Sequence, residues 1–123
     1  MGRPSHTELR GKILKARGRI GSADWSMASP EKQVAEFRDL NLWTATEMAQ
    51  ALEVAANEID PEHYVGMRPP MRSYERVCKD AELFAFAWES AHFERKMYLK
   101  FCFVKETLFI ISFHPDRTPK EEL

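Results

Sequence analysis

MYLKFCFVKETLFIISFH, Met97 to His114, is the stretch whose reading decides the fold. Two runs rich in aromatic and β-branched residues flank a short charged break, which predicts an antiparallel pair of strands at 97–104 and 108–113. Side chains alternate faces along a strand, so Met97, Leu99, Phe101 and Phe103 share one side while Tyr98, Lys100 and Cys102 share the other. A two-residue turn at Lys105-Glu106 would pair Phe101 with Ile110 and set Lys100 beside Ile111, mixing the faces. A three-residue turn from Lys105 to Thr107 pairs Phe103 with Phe109, Phe101 with Ile111 and Leu99 with Phe113, and is the register expected. It sets Lys100 opposite Ser112 and Tyr98 opposite His114 on the face turned away from the core. LFAFAW at 83–88 reads as the preceding strand, with Phe84, Phe86 and Trp88 in the core and Ala85 and Ala87 forming a shallow floor beside Lys100 and Tyr98. A tyrosine, a lysine and a histidine on small side chains, with Arg95 and Lys96 at one end, suit a phosphate-rich ligand. The plainer alternative is a solvated sheet face, where Tyr and Lys are common.

Upstream of the strands the pattern is helical. The spacing of Leu9, Ile13 and Ala16 predicts a helix from about Thr7 to Arg17, with Gly18 placed to end it. Ser29-Pro30-Glu31 announces a second, with Val34, Phe37 and Leu40 as its apolar stripe and Asn41 as its break. Thr44 to Glu47 reads as a capping box, with Leu42 and Met48 as a hydrophobic staple, before a run to about Ile59 that Asp60-Pro61 stops. Gly66, Pro69 and Pro70 make the stretch from Val65 to Ser73 a loop that carries Arg68 and Arg72. Helices followed by strands predict one α+β domain over 1–123, with a helical part at about 5–60, a sheet part at about 64–114 and a polar tail at 115–123. In it the helices pack on one face of a small antiparallel sheet.

With 44% hydrophobic residues in 123, the chain can bury an ordinary core and is too apolar for a disordered polyelectrolyte. No apolar run approaches the length of a bilayer span and MGRPSHTELRGK lacks the apolar stretch of a signal peptide, so the expected location is cytoplasmic with no membrane partner. Cys78 and Cys102 are too few for a disulfide scaffold, and neither they nor the four scattered histidines show the spacing of a zinc site. The net charge of −1 rules out a uniformly basic binder, yet it averages a segregated pattern. Residues 1–20 carry six basic groups against Glu8, and residues 21–60 carry eight acids against Lys32 and Arg38. Such asymmetry fits a basic face for polyanions beside an acidic one, or simply helices meeting water.

The hairpin resembles the terminal strands of the motility quorum-sensing regulator (MqsR) toxins, small ribonucleases of bacterial type II toxin–antitoxin systems with a RelE-like fold. Their "YLK", apolar alternation, short charged turn and closing "SF" match Tyr98-Leu99-Lys100 through Ser112-Phe113. Further matches follow in order. His6-Thr7 and Leu9 fit "HTxL", Gly18-Arg19-Ile20 resembles "G, polar, Val", Leu40-Asn41-Leu42 with Met48 echoes "LGL" and its methionine, and Tyr64 with Met67 resembles "FYKSM". The similarity spans His6 to Phe113, with an insertion between Met67 and Leu83. Val65 stands where the family has a functional lysine, and Ala85 where an ungapped count puts a functional glutamine. Only Tyr98 of that trio is retained. Arg68, Arg72, Arg76 and Lys79 lie in the insertion.

The resemblance implies an mRNA endoribonuclease that needs no metal or other cofactor and is held inactive by a cognate antitoxin. Attack of the 2′-hydroxyl on the adjacent phosphorus needs a proton acceptor, a proton donor and charge stabilisation. Tyr98, Lys100 and His114 are the catalytic candidates, with Arg95, Lys96, Arg68, Arg72, Tyr64 and His92 as candidates for holding phosphate or base. Packing against the third helix is an alternative for Tyr64, and Trp25 and Trp43 are expected in the core or on an antitoxin contact. Glu89 and His92 lack the companions a metal site needs. The rival reading is a non-catalytic RNA- or protein-binding domain of the same fold.

Overall fold

The structure, a computed structural model, describes residues 5–66, 72–73 and 76–116. Helix α1 (His6–Gly21) starts where Ser5 Oγ accepts the Glu8 N–H (3.0 Å) and buries Leu9, Ile13, Ala16 and Ile20. It runs through Gly18, the expected terminator. Burial of Ile20 in the last turn outweighs the roughly 1 kcal/mol that a mid-helix glycine costs. The helix ends at a Schellman motif, in which Ala23 N–H donates to Ile20 O (3.0 Å) and Asp24 N–H to Arg19 O (2.7 Å). Helix α2 (Pro30–Asp39) ends the same way at Asn41, the expected break, with Asn41 N–H on Arg38 O (2.8 Å) and Leu42 N–H on Phe37 O (2.9 Å). Its buried residues are Gln33, Glu36 and Phe37; Val34 is half-buried. Helix α3 (Ala45–Glu58) opens on the expected capping box, Thr44 Oγ1 accepting from Glu47 N–H and Glu47 Oε1 from Thr44 N–H, both at 3.1 Å.

Four strands, β1 (Trp25–Met27), β2 (Phe84–Ser90), β3 (Arg95–Val104) and β4 (Thr107–Pro115), form one sheet in the order β1-β4-β3-β2. The chain is α+β as expected, but the sheet is mixed rather than antiparallel, because β1 pairs parallel to β4 from Trp25↔Leu108 to Met27↔Ile110. Three residues between two helices are too few to show a period of two, and Trp25 accordingly lies at the sheet edge, half-buried against the core.

The three-residue turn expected between β3 and β4 is not formed, and Phe103 and Phe101 do not pair with Phe109 and Ile111. The turn is the two-residue one, Lys105-Glu106, pairing Val104 with Thr107, Phe103 with Leu108 and Phe101 with Ile110. A bulge between Lys100 and Phe101 then admits Ile111 as an extra residue on β4, so Lys100↔Ser112, Leu99↔Phe113 and Tyr98↔His114 follow as expected. The shift keeps apolar side chains together without the longer turn.

One face of the sheet carries Phe84, Phe86, Trp88, Met97, Leu99, Phe101 and Phe113, packed with Leu9, Ile13, Phe37 and Leu52 of the helices. Each such side chain is worth about 1.5–3 kcal/mol on full burial. The other face is covered at one end: Cys78, of the single turn Arg76–Cys78, and Leu83 pack on Cys102 and Ile111. Both cysteines are buried free thiols. The opposite end of this second face holds Tyr98, Lys100 and His114, all part-buried.

Candidate functional site

Where β1 stops, the outer edge of β4 needs other partners, since unpaired backbone groups of a buried strand are costly. Ala28 N–H reaches Ile110 O (3.1 Å), and α2 supplies the rest. Gln33 Nε2 donates to Ile111 O (2.7 Å), and Glu36 Oε1 accepts the Phe113 N–H (2.9 Å). Gln33 is itself held by the Ser29 N–H on its Oε1 (2.6 Å). This docking explains why α2 buries two polar residues, and it carries two more groups to the open face. Lys32 Nζ donates to Ser112 Oγ (3.4 Å), and Glu36 Oε2 lies 4.0 Å from His114 Nε2.

The rings of Tyr98 and His114 stack with centroids 5.1 Å apart and planes 21° apart. His114 Nδ1 is 2.7 Å from Pro115 O, so this nitrogen carries a hydrogen, because a carbonyl only accepts. The Glu36 carboxylate therefore faces the nitrogen that takes up the second proton. Both side chains are largely shielded, at 12% and 7% exposure. Burial, with the Asp116 carboxylate nearby, pushes the Tyr98 phenol above its ordinary pKa. Tyr98 thus keeps its proton at neutral pH and can donate a hydrogen bond. Lys100, opposite Ser112 and Ala85 in the sheet, brings a cation to the same face. Lys96 is exposed, with Nζ 3.6 Å from Asp116 Oδ2.

His92 and Arg95 come together elsewhere. They line a polar cleft of about 360 Å³ with Phe93 of the β2–β3 turn and Asp39, Leu40 and Asn41 at the end of α2. A wider depression of about 630 Å³ along the outer side of α2, lined by Pro30, Glu31, Val34, Ala35, Arg38 and Asp39, holds none of the candidates. Tyr64 does not fit the stacking role expected of it: it is 3% exposed, with its ring edge-on to Phe86 (5.8 Å, 73°), leaving no open face. Arg72 is exposed, its Nη1 donating to Asp80 O (2.8 Å) within its own loop. Arg68 lies outside the described residues.

The basic start of the chain is largely spent inside the molecule. Arg17 donates to Ala56 O (2.7 Å) and Ile59 O (3.3 Å) at the end of α3, Arg19 and Lys15 pair with Glu106, and Lys12 lies over the Phe84 ring (5.4 Å). Sequence reading overlooked Lys32, Glu36, Asp39 and Asn41. The available signal was the spacing Gln33, Glu36, Phe37 and Leu40, which sets two polar groups on the arc that buries Phe37.

Among the described residues no group of three or more His, Cys, Asp or Glu is arranged to hold a metal ion, and no helix is long and apolar enough to cross a membrane. The chain matches no protein family, no curated protein and no solved structure.

Proposed function

We propose that the Tyr98–His114 face is the active site of a metal-independent endoribonuclease that cleaves single-stranded mRNA, the toxin of a RelE-like, MqsR-type pair working in the cytoplasm and restrained by a cognate antitoxin. The observation that carries this reading is the stacking of Tyr98 on His114 beside Lys100 and Lys32, an acid, a base and two cations on one sheet face. In the proposed reaction His114 Nε2 takes the proton of the 2′-hydroxyl, and Glu36 stabilises the imidazolium that forms. The 2′-oxygen bonds to phosphorus, the P–O5′ bond breaks, and the Tyr98 phenol gives its proton to the departing oxygen. A 2′,3′-cyclic phosphate and a 5′-hydroxyl result. Lys100 and Lys32 offset charge on the non-bridging oxygens.

End-labelled RNA incubated with the full chain in EDTA is expected to be cut to cyclic-phosphate ends. Tyr98→Phe and His114→Gln are each expected to slow cleavage about 10²–10⁴-fold, the usual contribution of a general acid or base. A wild-type chain that neither cuts RNA nor arrests growth on expression overturns the proposal. One observation favours the non-catalytic alternative: the positions of the family's lysine and glutamine hold Val65, 53% exposed, and Ala85, 5% exposed, neither able to donate a hydrogen bond from its side chain. That reading expects RNA or protein binding without cleavage, unchanged in Tyr98→Phe.

A further inference from the structure

We infer that the cleft between the α2–α3 connection and the β2–β3 turn is a nucleotide subsite that seats an amino-bearing base and its phosphate, a reading that rests on RNA as the substrate of the Tyr98 face. Its volume of about 360 Å³ lies in the range of small-ligand pockets, about 300–1,000 Å³. Beside it, bonded to Asn41 of the cleft wall, stands the most exposed large apolar side chain described, Trp43, at 59%. A single exposed apolar side chain is ordinary, but an indole face fixed beside a polar cleft is a surface on which a base can stack. Moreover, this ring is held in place while exposed. Its Nε1–H donates to Asn41 Oδ1 (2.8 Å), the Arg38 guanidinium lies 5.3 Å from its centre, and its backbone N–H donates to Glu47 Oε1 (2.8 Å). Little conformational freedom remains to be lost on stacking.

The rest of the cleft complements a nucleotide. Arg95 is exposed and makes no ion pair with a described residue, so its guanidinium is available to grip a phosphate. The His92 ring, edge-on to Phe93 (4.8 Å, 83°), adds a second donor. Asp39 in the opposite wall repels a bare anion and accepts from an exocyclic amine or ring N–H. Asn41 has spent its oxygen on Trp43, which leaves its amide N–H groups for a base edge. Acids near this end, Glu58 on the His92 N–H and Glu94 beside Arg95, limit the charge the cleft tolerates to about one phosphate. Arg95 lies three residues from Tyr98 along β3, about 10 Å at 3.3 Å per residue, with its side chain on the opposite face. A single strand reaching both sites turns around the sheet end past the exposed Lys96, a course open to single-stranded RNA and too sharp for a duplex.

The test is an NMR titration of the full chain with adenosine 5′-monophosphate, and in parallel with ribose 5-phosphate, following the indole N–H of Trp43 and the amides of Asn41, Phe93 and Arg95. Adenosine monophosphate is expected to shift these signals and leave the indole of the buried Trp88 in place, with ribose 5-phosphate binding at least tenfold more weakly. Trp43→Ala and, separately, Arg95→Glu are expected to weaken binding of a short single-stranded RNA about tenfold, the order that base stacking supplies. Equal response to the two ligands, a silent cleft, or Trp43→Ala binding RNA like the wild type overturns the subsite. RNA bound in the cleft but never cut counts against the nuclease and not the subsite. RNA cut while the cleft stays silent counts the other way.

Discussion

A half-buried phenol near a carboxylate holds its proton longer than a free one, and at Tyr98 burial is the larger cause, with Asp116 adding to it. Because the folded chain binds this proton more tightly than the unfolded chain, the stability tied to it is fully present below the ordinary tyrosine value near 10. It is lost as pH rises through the raised folded value. Phenolate absorbance is expected to show a late-ionising group that Tyr98→Phe removes, and alkaline urea titrations should decline less steeply in that variant. Ionisation of Tyr98 at or below the free value would remove the reason for assigning it the acid's role. The pairing of this residue with His114 was expected from a three-residue turn that the chain does not form, and it holds because the bulge at Ile111 makes up the difference. The carboxylate behind His114 was not legible in the sequence, since Glu36 reaches it only because α2 stands in for a missing strand along β4.

Helix ends show how two elements of similar geometry were unequally readable. Asn41 and Ala23 both occupy left-handed backbone after a helix, at φ 63° and 58°. Asparagine tolerates that conformation and signals it, whereas alanine pays about 1–2 kcal/mol and signals nothing. Ala23→Gly is therefore expected to stabilise the chain by about 0.5–1 kcal/mol, the gain being reduced by glycine's greater freedom when unfolded. Asn41→Gly should change stability by much less, and thermal melts of the two variants check the contrast. Equal shifts would mean that the cap geometry is not what limits α1. The same inequality explains the sheet. Strands β2 to β4 announce themselves by alternation, while β1 is three residues long and depends on a parallel partner more than eighty residues away. The bulge at Ile111 was hidden because each turn length considered alone left something unexplained: one mixed the faces, and the other displaced Thr107 from its pairing with Val104.

At the scale of the molecule, much of the segregated charge fastens the chain to itself: Lys12, Lys15, Arg17 and Arg19 of the basic start do so, as do Glu36, Glu47 and Glu58 of the acidic middle. Glu58, at the end of α3, accepts from Trp88 Nε1 (2.8 Å), Ser90 Oγ (2.7 Å) and the His92 N–H (3.1 Å), joining the helical half to β2 and to the turn that carries the polar cleft. Burial by itself would raise this carboxyl's pKa. The hydrogen bonds from Ser90, Trp88 and His92, with the charge of His92, outweigh that and hold it below 4.5. A depressed carboxylate contributes stability that is present above its unfolded value and lost as pH falls through the folded one. Glu58→Gln is expected to lower the urea midpoint at pH 7, with a cost of about 1–3 kcal/mol for hydrogen bonds to a charged group. The gap between variant and wild type should close as pH falls through the depressed folded value, where the wild-type carboxylate takes up its proton and loses the same charge. Amide exchange at His92 and Phe93 should quicken in the variant at pH 7, because Phe93 N–H rests on Ser90 Oγ (3.0 Å), which in turn donates to Glu58. If the midpoint gap persists unchanged however far the pH is lowered, the carboxylate's charge is not what ties the two halves together, and shape at the α3 terminus must do so instead.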